Sequence, residues 1–242
     1  YQAATLANCY ARPTHVRPDK EYFGVTTYIG NGTTQSITGL GFQPDLVWIK
    51  VRTAAYNHVL YDSIRGPFQT LEPSATSANN DRDPYGVTSF DKEGFTVKGL
   101  TNGDYQVNGT PGGTYSGSSG GYVGWCWKAG GKKGTWNVDG EDRGSASAAG
   151  LTAGDTSVLN ACSINTKSGC SIVKWTQDSG VSAKNIAHGL SKAPSFVVMK
   201  HIYNTSNWYV VHTAIENEGK IMYLNTNSDQ YTSSDFGSAW PS

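Results

Sequence analysis

Two acidic loops carry the side chains of this sequence that are best suited to bind a metal ion. One loop contains Asp139 and Asp142, and the other contains Asp81 and Asp83. Calcium takes about six to eight oxygen ligands from flexible loops, so both pairs are candidate ligands. Neither loop has EF-hand spacing, and aspartate is also an ordinary turn residue. We therefore predict no resident cofactor, with calcium at these aspartates as the alternative.

Aromatic residues in or beside glycine-rich loops are the candidate ligand-binding residues. They are Tyr105, Tyr115, Tyr122 and Trp136. An open ring at such a place stacks on a sugar or on a protein ligand, whereas the competing interpretation is that the rings pin long loops to the body of the protein. The tryptophans within predicted strands are assigned to the core: Trp48, Trp125, Trp127 and Trp175.

No group of residues has the spacing of a catalytic site. His58 and Asp62 are a base and a carboxylate, but four positions along a strand separate them by about 13 Å. Asp62 is instead expected to tie down a turn together with Arg65. Glutamate is scarce, and no pair of acids indicates the two carboxylates of a glycosidase. The sequence therefore predicts a protein that is not an enzyme.

Composition and charge restrict the remaining classes. The 242 residues carry 19 basic and 19 acidic side chains, so the formal net charge is zero. Nucleic-acid binding requires a basic excess, and no apolar run approaches the roughly 18 residues of a membrane span. Charged residues make up only 16%, while glycine occurs 29 times. These features predict an all-β protein without nucleic-acid partners or membrane insertion.

Cysteine use gives little evidence of cross-linking. None of the four cysteines has CxxC spacing, which argues against a zinc ribbon or a redox centre. Cys126 lies between two tryptophans and is predicted to be buried. Cys162 and Cys170, eight residues apart, are the one local pair that could form a disulfide.

The chain contains an internal repeat. The strand pattern of Leu46–Val51 returns 150 residues later at Phe196–Lys200, and the following strand returns at the same offset. Short strands between turn residues predict tandem antiparallel β-sandwich domains. We place an N-terminal arm at 1–22, the first sandwich at 23–131, a loop-rich connection at 132–168 and a second, incomplete sandwich at 169–242. The missing strands predict an open sheet edge, filled by chain beyond Ser242 or by a neighbouring subunit, and we favour the former.

Several motifs resemble a repeated domain found in structural proteins of tailed bacteriophages, notably marine ones. The resemblance rests on runs such as Tyr28–Ile37, Gly41–Lys50, Leu60–Gly66, Ser89–Thr96 and Trp125–Gly131. Such proteins are usually described as tail-fibre or virion structural proteins. The resemblance implies a lectin-like sandwich of the jelly-roll, concanavalin A-like type, and it supplies no catalytic residues.

The function expected from these features is that of a non-enzymatic virion protein at the particle surface. A tail-fibre or decoration protein of this kind forms homo-oligomers, contacts other virion proteins and binds a host-surface glycan or protein. A free carbohydrate-binding module is the first alternative, and a glycoside hydrolase is the second.

Overall fold

The computed structural model of the chain describes residues 22–99, 106–113, 120–131, 134–177, 184–215 and 219–233. The protein is all-β, as predicted: these ranges contain seventeen short strands together with a 3₁₀ helix at Thr156–Val158. Aromatic and β-branched residues fill the strands, while glycine, asparagine and aspartate fill the connections. Among the residues described, none lies in a helix with the length and apolarity that crossing a membrane would require.

The first half of the chain forms two antiparallel sheets, the first with strand order β1-β9-β3-β4 and the second with order β2-β8-β7. A two-stranded β5-β6 ribbon accompanies them. The strands are β1 (Phe23–Ile29), β2 (Thr34–Ile37), β3 (Leu46–Val51), β4 (Val59–Asp62), β5 (Gln69–Thr70), β6 (Asn80–Asp81), β7 (Gly86–Asp91), β8 (Gly94–Lys98) and β9 (Gly121–Trp127). One hydrophobic cluster joins the two larger sheets, because Val47 and Ile49 of the first share it with Phe95 and Val97 of the second.

Strand register sorts the residues of the four-stranded sheet onto two faces. Val47 lies opposite Cys126, and both are completely buried in the core. One position along, Trp125 lies opposite both Trp48 and Val25. Directly opposed residues share a face and neighbouring residues alternate, so these three side chains point away from the core. The prediction that Trp125 belongs to the core is therefore wrong, whereas the burial of Cys126 is confirmed. Trp48 points away from this core but packs, half-buried, against the separate cluster of Leu60, Leu71 and Trp208.

Strands β2 and β8 of the second sheet lie close together beside the β7–β8 hairpin. A Cβ atom on Gly94 would lie 1.9 Å from the carbonyl oxygen of Ile37, so no larger residue fits there without moving the backbone. Gly94 also pairs with Asp91 at the end of the hairpin. The turn predicted at this point thus depends on a glycine for space.

A second sheet region follows, with strand order β11-β10-β12-β13. Its strands are β10 (Trp136–Val138), β11 (Glu141–Asp142), β12 (Leu159–Asn165) and β13 (Cys170–Trp175). Strands β10 and β12 are parallel, in contrast to the antiparallel pairing predicted, because a long crossover between them returns the chain to the same end of the sheet. The boundary predicted after residue 168 falls inside the β12–β13 hairpin. Cys162 and Cys170 are free thiols and do not lie opposite each other.

The last sheet repeats part of the first one. It has the order β14-β15-β16-β17, with strands β14 (Phe196–Lys200), β15 (Trp208–His212), β16 (Lys220–Tyr223) and β17 (Tyr231–Thr232). Leu46 lies opposite Asp62 in the β3–β4 pair, and Phe196 lies opposite His212 in the β14–β15 pair. Both partners are displaced by 150 residues, and the other shared rungs follow the same rule. The predicted repeat therefore extends to the register of this strand pair.

A lysine at the end of each repeated strand makes the same contacts. Lys50 Nζ donates to the carbonyl oxygens of Val51 and Ala54, at 2.6 and 3.0 Å. At the offset of 150 residues, Lys200 Nζ donates to those of His201 and Asn204, at 2.7 and 3.3 Å. Burial lowers the pKa of both ammonium groups. These lysines therefore close the loop that follows each strand.

The last sheet is attached to the first by a tryptophan. Trp208 is 4% exposed and joins a hydrophobic cluster with Leu60 and Leu71 of the first half. Its indole Nε1 donates to the carbonyl oxygens of Glu72 and Ala75, at 3.0 and 3.1 Å. The second copy of the repeat thus packs against the β4 end of the first copy.

Candidate functional site

Asp62 and Arg65 form a structural ion pair, as the sequence predicts. Arg65 Nε lies 2.6 Å from Asp62 Oδ2, and both side chains are almost fully buried. Arg65 also donates to the side chain of Asn79 and to the carbonyl oxygens of Gln69 and Leu60. The carboxylate and guanidinium therefore hold the turn after β4 against the β5–β6 region.

His58 is the partner of a tryptophan. Trp48 Nε1 donates to His58 Nδ1 at 2.9 Å, and the two rings meet edge to face. Burial lowers the pKa of His58, and the nearby Lys50 ammonium lowers it further. A neutral imidazole has one acceptor nitrogen, which is what this hydrogen bond requires. His58 and Asp62 therefore belong to separate structural networks.

Asp45 is a buried carboxylate that joins the first half of the chain to the following sheet. Its Oδ1 accepts from Ser63 Oγ at 2.7 Å and from Ser163 Oγ at 2.9 Å. Its Oδ2 accepts from the backbone N–H groups of Ala129 and Gly131, at 2.9 and 2.8 Å. Burial raises the pKa of this carboxyl, and the four hydrogen bonds oppose that rise. No solvent reaches the residue, so its role is structural.

Tyr122 is not available to stack on a ligand. Its side chain is completely buried and its ring is stacked on that of Tyr28, with centroids 5.2 Å apart. The Tyr122 hydroxyl accepts from Gly109 N, and the Tyr28 hydroxyl donates to Val107 O. The assignment of Tyr122 as an exposed ligand-binding residue is wrong, because its strand position faces the core. Instead the two rings pin the 106–113 segment, which was the competing interpretation.

Among the described residues, Trp136 is the one remaining aromatic candidate, and it lies in the following sheet, apart from Tyr122. Trp136 is half-buried against the hydrophobic cluster around Leu151 and Ile164. Tyr105 and Tyr115 lie outside the described residues.

The aspartates proposed for calcium make local hydrogen bonds. The Asp139 carboxylate accepts from the backbone and hydroxyl of Thr166. Asp142 accepts from Gly144 N, while Asp81 accepts from Asp83 N. Within the described ranges, His, Cys, Asp and Glu side chains nowhere form a group of three or more that could hold a metal ion.

A small polar cleft lies beside the β5–β6 ribbon, with a volume of about 170 Å³. Its lining residues are Thr70, Glu72, Ser77, Ala78, Asn80 and Arg82. Ligand pockets usually enclose about 300–1,000 Å³, so this cleft is too small for a drug-sized or sugar-sized ligand. The Glu72 carboxylate also accepts hydrogen bonds from Asn57 and Ser77. We therefore do not regard this cleft as the functional site.

The outer side of the β1-β9-β3-β4 sheet is the stronger candidate. We call it the outer aromatic face, and it comprises the residues that β1, β9 and β3 direct away from the core. These are Phe23, Val25, Thr27, Ile29, Val123, Trp125, Trp127, Leu46, Trp48 and Lys50.

Exposure on this face decreases from β1 towards β4. Phe23, Val25 and Ile29 of the β1 edge are 37%, 53% and 52% exposed. At the other end Leu60 is only 7% exposed, because Trp208 of the last sheet packs over it. The face is thus open at one end and covered by protein at the other.

The face is apolar because it consists largely of hydrophobic side chains and because its one lysine directs its charge into a neighbouring loop. The rings of Phe23 and Trp127 meet at 5.1 Å between centroids, with a 50° tilt. The Lys50 ammonium is directed to the carbonyl oxygens of Val51 and Ala54. Exposed apolar residues beside half-buried tryptophan rings are typical of binding surfaces for protein partners or for sugar rings.

Sequence reasoning missed this face because it assigned the tryptophans of the predicted strands to the core. The alternation in β9 contains the signal: if Cys126 is buried, then Trp125 and Trp127 on either side of it must point the other way.

These observations define an all-β protein with repeated antiparallel sheets and an apolar outer face. A family model for a domain of unknown function, DUF7483, matches residues 18–241, and the chain belongs to this family. Comparison with curated proteins and comparison with solved structures each gave no match.

Proposed function

We propose that the chain is a non-enzymatic structural protein of a bacteriophage virion, a tail-fibre or surface protein that serves assembly and host-surface recognition. The outer aromatic face is its docking surface. The observation that carries this proposal is the continuity of the face, which is open at Phe23, Val25 and Ile29 and already covered by Trp208 near Leu60. A surface that packs against protein at one end is suited to pack against protein at the other.

The proposed fold is a tandem pair of lectin-like, concanavalin-type β-sandwiches, of which the second is incomplete. Two sheets that share one core support the first sandwich. The register of β14 and β15, which repeats that of β3 and β4, supports the second.

The use of the titratable side chains supports a structural role. Asp45 is buried and hydrogen-bonded to Ser163 of a distant segment, Asp62 is buried and paired with the neighbouring Arg65, and His58 is bonded to Trp48. Lys50 and Lys200 close loops in the same way in both copies. These groups are engaged in holding the shape of the chain, which is the expected use in a particle component. The partners in this proposal are other virion proteins, further copies of the chain and a host-surface glycan or protein.

A free carbohydrate-binding module is the second candidate, because the tilted rings of Phe23 and Trp127 offer stacking surfaces to sugar rings. The two candidates differ in what occupies the face. A module would bind a glycan as an independent protein, whereas a virion protein remains with the particle.

Particle fractionation combined with a glycan array separates these functions. We expect the chain to co-sediment with virions purified on a density gradient from cultures of the organism that encodes it. In a complementation experiment, Val25→Asp should shift the chain to the soluble fraction, because an exposed apolar contact becomes charged. Thr27→Ser, a change on the same strand face, should leave it on the particle. A chain that stays soluble and binds an array glycan through Trp125 would contradict the virion proposal and favour the module.

A further inference from the structure

We propose that two copies of this chain pair through strand β14 and form a two-fold dimer with a continuous eight-stranded sheet. The two four-stranded sheets β14-β15-β16-β17 would meet edge to edge. This inference is independent of the function proposed above, because it uses a sheet edge and not the outer aromatic face.

In the first copy of the repeat, the equivalent edge is paired with an antiparallel strand. Strand β3 is paired on both sides, by β9 and by β4. Its equivalent, β14, pairs with β15, and no described strand occupies the side that corresponds to β9. Along Phe196–Lys200 the edge that is open in the second copy is therefore the one filled in the first, and just beyond it Asn79 N donates to Ile202 O.

Backbone hydrogen bonds identify which groups face this edge. Arg52 directly follows β3, and its N–H donates to the carbonyl oxygen of Gly121, the first residue of β9. Backbone direction alternates along a strand, so the even-numbered residues of β3 face β9. At the offset of 150 residues, the N–H and C=O groups of Phe196, Val198 and Lys200 face the open edge. Thr213 directly follows β15, and its N–H donates to Ser195 O, so the odd-numbered Ser195 faces β15. This agrees with the assignment of the even-numbered residues to the open edge.

The side chains of β14 leave the edge without the usual protection. Phe196 is 57% exposed and Val198 is 36% exposed. The Lys200 ammonium is held by the carbonyl oxygens of His201 and Asn204 and does not guard the edge. Natural edge strands are normally blocked by a charge, a proline or a bulge, and an apolar strand without these devices is a site for strand pairing.

A second copy is the occupant because β14 is complementary to itself. A two-fold axis at Val198 places this residue opposite its symmetry mate and Phe196 opposite Lys200. Each edge-facing backbone group then meets another edge-facing group, as an antiparallel ladder requires. On the other face Val197 lies opposite Met199, so apolar side chains also meet. Such an isologous contact closes at two subunits.

Mass measurement in solution tests the proposal. Sedimentation equilibrium at about 100 µM should give twice the 25.9 kDa of one chain for the natural sequence. Val198→Pro should give a monomer, because proline removes an N–H at the open edge and leaves the bonds to β15 intact. Val198→Thr keeps the N–H and the branched side chain, and it should remain dimeric. Trp125→Ala, on the outer aromatic face, should also remain dimeric. Circular dichroism and thermal melting establish that each variant is folded.

Cross-linking provides a second test that does not depend on the proline variant. With a short bis-maleimide, Val198→Cys should give a covalent dimer across the two-fold axis. Tyr203→Cys, which replaces a more exposed residue away from the edge (67% against 36% for Val198), should still give much less. A monomeric natural chain, a dimer that persists in folded Val198→Pro, or equal cross-linking of the two cysteine variants would overturn the proposal.

Discussion

Removal of the Asp45 carboxylate should show how much the polar junction contributes to stability. Asp45 is 0% exposed and receives four hydrogen bonds, two from serine hydroxyls and two from backbone N–H groups. Asp45→Ala leaves the N–H groups of Ala129 and Gly131 without an acceptor. Each buried, unsatisfied donor costs about 1–3 kcal/mol, so the two N–H groups alone predict a loss of about 2–6 kcal/mol.

Asp45→Asn is the matched control because it has the same shape and keeps one acceptor oxygen. The amide oxygen can take the place of Oδ2 and receive both N–H groups. The amide NH₂ can then donate to Ser63 and Ser163, whose hydroxyl oxygens are also acceptors. We expect a loss of about 1 kcal/mol, near the net value of an ordinary hydrogen bond.

The pH dependence follows from the direction of the pKa shift. Burial raises the pKa of Asp45 above its ordinary value of 3.8, so the folded state holds the proton more tightly than the unfolded state. The stability from this preference is fully present below pH 3.8 and is lost as the pH rises through the folded pKa. Asn does not titrate. The deficit of Asp45→Asn relative to the natural chain should therefore be larger at pH 4 than at pH 7.

Urea denaturation followed by tryptophan fluorescence measures both effects. The free energies of unfolding of the natural chain and the two variants are compared at pH 4 and pH 7. Equal destabilisation by alanine and asparagine would refute the hydrogen-bond argument. A deficit of Asp45→Asn that grows with pH would refute the assigned direction of the pKa shift.

Three further predictions concern the junction of the repeats, the close contact between strands β2 and β8, and a buried thiol. Trp208→Ala should destabilise the chain by about 3–5 kcal/mol in the same urea assay, since it removes a buried ring from the contact between copies, and Trp208→Phe should cost less. Gly94→Ala should lower the thermal midpoint strongly, because its Cβ would lie 1.9 Å from a carbonyl oxygen. Gly39→Ala, whose Cβ meets no atom within 4 Å and is strained only by the φ of +92°, should lower it less. Burial raises the pKa of Cys126 to about 12, so iodoacetamide at pH 8 should modify this thiol only after unfolding, as peptide mass spectrometry would show; rapid labelling of the folded chain would contradict its burial.

Local pattern was enough to predict the strands that repeat. Leu46–Val51 and Phe196–Lys200 are strands with the predicted bounds, because continuous apolar runs between turn residues have few other folded solutions. The turn role of Asp62 and Arg65 was also predictable, since the two residues are close in sequence.

Composition and spacing alone predict the all-β class, the repeat and the burial of Cys126, because all three depend on local features of the chain. Once Cys126 is placed in the core, strand alternation also puts Tyr122 there and turns Trp125 outward. Tertiary structure decided that Trp208 of the last sheet packs over Leu60 of the first. It also brought Ser163 to Asp45 across 118 positions of sequence. Contacts over such separations depend on how whole sheets pack, and no local pattern encodes that packing.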